Sequence, residues 1–147
     1  MSVTPRFTVI TIGVADVLRA AAFYERLGFK RKMKGAPAGE VAFFETGATA
    51  FSLFAWDKAA AETALPDQPR PTTYRGVTLA WNCNSKSDVD DALALALASG
   101  AKLLKAAHAT AYGGYAGYFA DPDGHSWEVV TAPGISVRED GRVALPD

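Results

Sequence analysis

The sequence contains one cysteine, Cys83, and two histidines in 147 residues, so the side chains that form cross-links or hold transition metals are scarce. A single cysteine excludes an intramolecular disulfide and a thiolate metal cluster. Charge of one sign is not in surplus either, because 15 lysines and arginines stand against 16 aspartates and glutamates. This balance predicts neither a nucleic-acid partner nor binding to an acidic membrane surface.

Long apolar runs are also missing. No segment approaches the ~20 apolar residues of a membrane-spanning helix, and the opening MSVTPRFTV lacks the apolar core of a signal peptide. We therefore expect a cytoplasmic protein without a membrane partner. What the chain does have is 49% hydrophobic residues, enough for a core that needs no disulfide or metal.

The first half of the chain reads as strand, helix and three strands. Asp16 is placed to cap the helix and Gly28 to end it. An apolar stripe of Leu18, Ala21, Ala22 and Leu27 is expected to face the core. The five segments are RFTVITIGV, VLRAAAFYERLG, FKRKMKG, EVAFFETG and TAFSLFAW.

The second half repeats this order. Ser85 or Ser87 caps its helix, and the residues 121–124, Asp-Pro-Asp-Gly, suit a tight turn between the last two strands. The segments are GVTLAWNCN, DVDDALALALASG, AKLLKAAH, GGYAGYFA and HSWEVVTA. The repeat predicts an α+β fold of tandem β-α-β-β-β modules whose curled mixed sheet surrounds a concave cleft. We expect one domain, 1–147, divided into module one (7–56), a linker that starts helical (57–74), module two (75–132) and a tail (133–147).

Strand alternation assigns a face to each side chain. Ile12 and Val14 of the first strand, and Trp127 and Val129 of the last, are expected to pack under the helices. The opposite faces carry small, polar or mixed residues and are expected to line the cleft. Our candidates for ligand binding there are Thr11, Ser52, Phe54, Thr78, Asn82, Tyr118 and Glu128, with Tyr112 at the rim.

The sequence resembles the vicinal oxygen chelate superfamily of glyoxalases, bleomycin-resistance proteins and extradiol dioxygenases. The resemblance rests on ITIGVADVLRAAAFYERLGF, GVTLAWNCNSKSDVDDALALALASGAKLLK and GGYAGYFADPDGHSWEVV, and with the repeat it covers most of residues 7–132. It implies a glyoxalase-like fold, commonly in a homodimer, but it does not imply one reaction.

In the metal-using members, strand residues of both modules hold a cation, and the resemblance carries these positions to four residues here. They are Val9, Ser52, Thr78 and Glu128, of which only Glu128 is a strong ligand. One carboxylate with two hydroxyls makes a poor site for a transition metal. We expect no metal cofactor, and we expect the side chains of His108 and His125 to be solvated.

Glu128 has two interpretations that the sequence leaves open. It acts in the cleft, as a hydrogen-bonding anchor or as a catalytic base, or it only pairs with a neighbouring tyrosine or arginine. Tyr118 is the nearest such tyrosine if the hairpin register is regular. Cys83 is expected to be a buried core thiol.

Three functions follow from these features. The first is a metal-free protein that binds a small organic molecule in the cleft. The second is a glyoxalase-like lyase or isomerase, metal-dependent or metal-free, with Glu128 as base or ligand; it lacks clear stabilisation for an enolate. The third is an interaction module whose cleft is filled by its own tail.

Overall fold

The computed structural model describes residues 3–37, 39–66 and 70–147. The predicted α+β class with mixed sheets is confirmed, and the described chain forms three helices and ten strands. These elements belong to two compact units whose division falls in the predicted linker. Residues 67–69 of that linker lie outside the described residues, and the single domain stays a prediction.

The first unit holds module one. Its elements are β1 (Val9–Val14), α1 (Val17–Arg26), β2 (Lys30–Lys32), β3 (Val41–Glu45), β4 (Ala50–Ala55) and α2 (Trp56–Glu62). The strands form one sheet in the order β1-β4-β3-β2, in which β1 runs parallel to β4 and the other neighbours are antiparallel. Helix α1 packs on one face of this sheet. Helix α2, the predicted helical start of the linker, packs on β1 and β4.

Helix α1 begins as predicted, because the Asp16 carboxylate accepts a hydrogen bond from the Arg19 amide at 3.0 Å. The predicted apolar stripe is wrong in part. Leu18 is 53% exposed and Ala22 is also exposed. The observed buried face has helical spacing but begins at Val17, one residue before the predicted Leu18. It consists of Val17, Ala20, Ala21, Phe23 and Tyr24.

An aromatic cluster fills the core of the first unit. The ring of Tyr24 meets the rings of Phe29, Phe44 and Phe51, with centroids 4.9–6.2 Å apart. Such tilted and edge-to-face pairs are the favoured arrangement of buried aromatic rings. The predicted second strand is shorter than FKRKMKG because Met33 adopts a φ of 50°, a left-handed conformation that ends the strand.

The second unit holds module two and the tail. Its elements are β5 (Thr78–Asn82), α3 (Lys86–Ala98), β6 (Lys102–Ala109), β7 (Tyr115–Ala120), β8 (Ser126–Thr131), β9 (Ser136–Val137) and β10 (Val143–Ala144). Its main sheet has the order β5-β8-β7-β6, with β5 parallel to β8, which repeats the topology of the first sheet. Helix α3 is capped by the Ser85 hydroxyl, which accepts from the Asp88 amide at 3.0 Å.

The core of the second unit lies between α3 and the sheet. Phe119 and Trp127 stack with ring centroids 6.0 Å apart, and Val129 is fully buried. The burial of Trp127 and Val129 is what strand alternation predicted. Gly117 lies so close to α3 that an added Cβ would come 2.4 Å from Leu93 Cδ1. The side chains of β7 and β8 that point away from α3 therefore occupy the second face of this sheet.

The turn between β7 and β8 is confirmed and is held by Asp121, which is 3% exposed. The Gly124 amide donates to the Asp121 carbonyl at 2.9 Å. The Asp121 carboxylate accepts from the amides of Asp123 and His125 at 3.0 and 2.8 Å. The turn fixes the register in which Tyr118 lies opposite Glu128.

The tail forms a two-stranded hairpin of β9 and β10. No helix in the described parts of the chain has the length and hydropathy needed to span a bilayer.

Candidate functional site

Glu128 lies on the second face of the second sheet, between Ala80 on one neighbouring strand and Tyr118 on the other. The Tyr118 hydroxyl donates a hydrogen bond to Glu128 Oε1 at 2.8 Å. The alternation of β7 and β8 produces this contact, since both residues face away from α3. The structure thus contains the tyrosine–glutamate pair that was one interpretation of the sequence.

The pair holds the proton on the tyrosine. The hydrogen bond to Glu128 raises the pKa of Tyr118 to about 12, and burial and the negative charge of Glu128 act in the same direction. At neutral pH Tyr118 is therefore a neutral donor. A carboxylate has lone pairs for several donors, so Glu128 keeps capacity to accept from a ligand.

A pocket of about 400 Å³ opens beside Glu128 within the second unit. Its polar groups are the Glu128 carboxylate, the Asn82 amide and the Tyr112 hydroxyl. The remaining walls are apolar and consist of Ala80, Val130, Ala132, Pro133 and Ile135. Ligand pockets in proteins commonly combine apolar walls with a few convergent polar groups, at volumes from roughly 300 Å³ upward.

Three predicted site residues line this pocket together, namely Asn82, Tyr112 and Glu128. Tyr118 contributes through its hydrogen bond to Glu128. Thr78 is not among the lining residues; it is exposed, lies opposite Ser126, and its hydroxyl is 3.4 Å from the Tyr74 hydroxyl.

The other three predicted residues belong to the first unit. Thr11 lies directly opposite Ser52, and their hydroxyl oxygens are 2.6 Å apart in a hydrogen bond. Ser52 is only 2% exposed, whereas Thr11 is exposed. Phe54 is half-buried and lies opposite Gly13. Their role in ligand binding stays a prediction.

Sequence reasoning did not identify Pro133 and Ile135 as pocket residues. They follow β8 directly, in a segment that the sequence assigned to a tail proposed to fill the cleft. In this pocket the start of the tail instead supplies a wall. An available signal was the pair Pro133-Gly134, which favours a tight turn and so returns the chain toward the strand it has just left.

The four positions that the resemblance links to metal do not fit a transition metal. The Val9 side chain has no atom that can ligate a metal, and the Ser52 hydroxyl is hydrogen-bonded to Thr11. Thr78 offers only a neutral hydroxyl. Glu128 alone supplies a strong ligand. Within residues 3–37, 39–66 and 70–147, no group of three or more His, Cys, Asp or Glu residues is arranged to hold a metal ion.

The histidines and the cysteine have structural contacts. His108 Nδ1 donates to the Ala106 carbonyl at 3.0 Å, and Arg75 Nη1 lies 3.2 Å from His125 Nδ1. Both histidines are half-buried and keep part of their surface exposed. Cys83 is 8% exposed, and burial, helped by the nearby Asp88 charge, raises the pKa of its thiol to about 11. It is an unreactive core thiol.

Comparisons with known proteins agree on the fold. The sequence model of the glyoxalase/bleomycin resistance protein/dioxygenase superfamily matches residues 6–129. A glyoxalase-related enzyme from Fulvimarina pelagi superposes with a TM-score of 0.85 at 26% identity, over 98% of this chain and 100% of that one. No curated protein matches the chain significantly.

Two further structures, both under 25% identical, share the fold. A glyoxalase/bleomycin resistance protein/dioxygenase family enzyme from Burkholderia phytofirmans has a TM-score of 0.75 at 22% identity, over 85% of this chain and 97% of that one. A lactoylglutathione lyase from Agrobacterium tumefaciens has a TM-score of 0.63 at 23% identity, over 87% and 94% of the two chains. The predicted glyoxalase-like fold is confirmed.

Proposed function

The chain belongs to the glyoxalase/bleomycin resistance protein/dioxygenase superfamily, and from this premise we propose that it binds a small organic molecule, without a metal ion, in the pocket beside Glu128. One observation carries the proposal. Glu128 and Asn82 both line a pocket of about 400 Å³ whose other walls are mostly apolar. A compact ligand with an apolar body and one polar end matches this arrangement.

The charge of the lining residues favours a ligand that donates hydrogen bonds. An ionised carboxylate only accepts, whereas the Asn82 amide both donates and accepts. None of the eight residues that line the pocket is lysine, arginine or histidine. A protonated amine is the best partner for Glu128, since hydrogen bonds between charged groups are about twice as strong as neutral ones. A carboxylate ligand would be repelled.

The chemistry of the available side chains argues against a bound metal ion. The residues at the family's ligand positions offer one carboxylate, two hydroxyls and the aliphatic Val9, and such a set binds zinc, nickel, manganese or iron weakly. Elemental analysis of protein purified without chelator, followed by titration with these four ions, tests this point. A stoichiometric metal that is lost in Glu128→Ala would overturn it.

Three probes of similar shape and different charge test the binding proposal, namely benzylamine, benzyl alcohol and benzoate. We expect calorimetry to rank benzylamine first and to detect no binding of benzoate. Glu128→Gln should weaken benzylamine at least tenfold and leave benzyl alcohol within threefold. Glu62→Gln is the matched control, because Glu62 is exposed on α2. Equal affinity for benzoate, or an unchanged affinity in Glu128→Gln, would refute the proposal.

A second candidate function is favoured by the Tyr118–Glu128 hydrogen bond. In a lyase or isomerase of this superfamily, Glu128 would remove a proton next to a carbonyl group, while the protonated Tyr118 orients the carboxylate. Incorporation of solvent deuterium into hydroxyacetone, followed by NMR, tests for this proton transfer. No incorporation above that of Glu128→Gln would remove this candidate.

We also propose the homodimer that the resemblance implies and a cytoplasmic location. Light scattering coupled to size-exclusion chromatography tests the dimer, and a monomer at micromolar concentration would contradict it.

A further inference from the structure

The pocket has one wall that does not belong to the sheet. Residues 132–135 form a turn in which the Ile135 amide donates to the Ala132 carbonyl at 3.2 Å. Pro133 at the second position and Gly134, with a φ of +80°, at the third are the pattern of a type II turn. The turn returns the chain to the sheet and places Pro133 and Ile135 in the pocket lining.

Asn84, in the loop between β5 and α3, is hydrogen-bonded to the segment that follows this turn. Its Nδ2 donates to the Val137 carbonyl, and its Oδ1 accepts from the Val137 amide, both at 3.0 Å. The side-chain amide therefore pairs with both backbone polar groups of one residue, as a neighbouring strand would.

The wall also lies beside the loop that carries Tyr112. An added Cβ at Gly113 would lie 3.6 Å from Pro133 Cγ, and one at Gly134 would lie 3.5 Å from Pro146 Cγ. The turn thus packs between the Tyr112 loop and the end of the chain. The neighbouring groups, Pro133 and Pro146, are apolar, and packing against them has no directional preference that would fix the position of the tail.

We propose that Asn84 is a positioning residue that holds residues 133–137 as a fixed wall and thereby limits the size of the ligand. Asn84 is not among the residues that line the pocket, and it acts through Ile135, two residues before its partner Val137. The limit on ligand size rests on the proposed function; the position of the wall does not. Loss of the two hydrogen bonds frees the wall to move outward, which admits larger molecules.

The first experiment measures the wall without any ligand. In a Cys83→Ser background, Ile135→Cys places a thiol in the wall, and its rate of modification by a maleimide reports the exposure of that position. Asn84→Ala should raise this rate and the hydrogen exchange of the Val137 amide at least tenfold. Asn84→Asp keeps only the acceptor for the Val137 amide and should give an intermediate rate. Ser87→Ala, an exposed change on α3, is the control.

The second experiment compares benzylamine with the longer 4-phenylbenzylamine by calorimetry. Asn84→Ala should shift the affinity ratio at least threefold toward the longer amine, and Ser87→Ala should not. If Asn84→Ala speeds the hydrogen exchange of the Val137 amide but leaves the affinity ratio of the two amines unchanged, Asn84 is only a structural residue and the proposal is overturned. The proposal is also overturned if Asn84→Ala changes neither the exchange rate nor the maleimide rate. If the wild type binds neither amine while Asn84→Ala still exposes Ile135→Cys, the proposed function fails and the positioning of the wall stands.

Discussion

The two modules have the same strand order, and the register of their three inner strands matches, yet equivalent positions carry different chemistry. Ser52 of the first sheet and Glu128 of the second occupy matching places, each between two neighbouring strands. Their cross-strand neighbours are Thr11 and Phe43 in module one, and Ala80 and Tyr118 in module two. Ser52 shares a hydrogen bond with Thr11 on the parallel neighbour, whereas Glu128 accepts one from Tyr118 on the antiparallel neighbour. The fold supplies the position, and the side chains decide its use.

The helix-facing sides differ as well. Module one fills its core with four mutually contacting rings, those of Tyr24, Phe29, Phe44 and Phe51. Module two stacks Phe119 on Trp127 beneath an alanine-rich helix. Replacing Phe44 or Phe119 with alanine removes a fully buried ring in either core. Each change should lower the free energy of unfolding by about 3–5 kcal/mol, measured by urea denaturation. A loss below 1 kcal/mol in one module would mean that its core is not as closely packed as the other.

The next largest difference concerns the central antiparallel strand. Gly117 of β7 matches Ala42 of β3, because they lie opposite Val129 and Leu53 respectively. Gly117→Ala should destabilise the protein by about 1–3 kcal/mol, since the new methyl group would overlap Leu93 and the backbone of Ala107. Ala42→Gly, the reverse exchange in module one, should cost about 1 kcal/mol through loss of a buried methyl group and added chain entropy. A neutral Gly117→Ala in thermal unfolding would contradict the close helix packing.

The two polar pairs should respond unequally to loss of one hydroxyl. Thr11→Val leaves the buried Ser52 hydroxyl without its partner and should cost about 1–3 kcal/mol. Tyr118→Phe leaves a carboxylate that is only half-buried and that water can reach, so its cost should stay below about 1 kcal/mol. Chemical denaturation of both variants measures the difference, and a larger loss for Tyr118→Phe would reverse this comparison.

The smallest expected effect is confined to alkaline solution. Tyr118 loses its proton at a pKa of about 12 in the folded protein and at 10.0 in an unperturbed tyrosine, so between these values the folded state keeps a proton that the unfolded state releases. The free energy of unfolding should therefore fall as the pH rises from about 10 to about 12, and less steeply in Tyr118→Phe. Absorbance titration of the phenolate gives a direct check. If the tyrosine titration is unchanged by Tyr118→Phe above pH 11, the hydrogen bond does not hold that proton.

Much of the fold could be predicted from the sequence, since local signals determine it. The Asp16 and Ser85 caps, the turn at Asp121 and the burial of Trp127 all follow from residue type and period. The stripe on α1 was partly misassigned because Leu18 is apolar yet lies outside the buried arc, and hydrophobicity alone does not distinguish two adjacent arcs of a helix.

The candidate site was less predictable from the sequence. Strand alternation placed Asn82, Tyr118 and Glu128 on one face, and the structure places them there. It did not find Ile135, because the contribution of a tail depends on a turn and on the distant Asn84, and neither has a periodic signal. Contacts between segments about 50 residues apart are set by tertiary packing, which is beyond the reach of local patterns.

The Asp121 turn has a consequence for how this chain can diverge. Strand residues alternate between the two faces of the sheet, so a one-residue shift in the register of β8 would send Glu128 into the core and Trp127 toward the pocket. A shift of two residues would preserve the faces but slide Glu128 past Tyr118 by one pleat. Length changes that shift the register of β8 therefore keep Glu128 on the pocket face only in even steps, and each step pairs the carboxylate with a different neighbour. Point substitutions along β7 carry no such restriction and offer a gradual route to new ligand preferences.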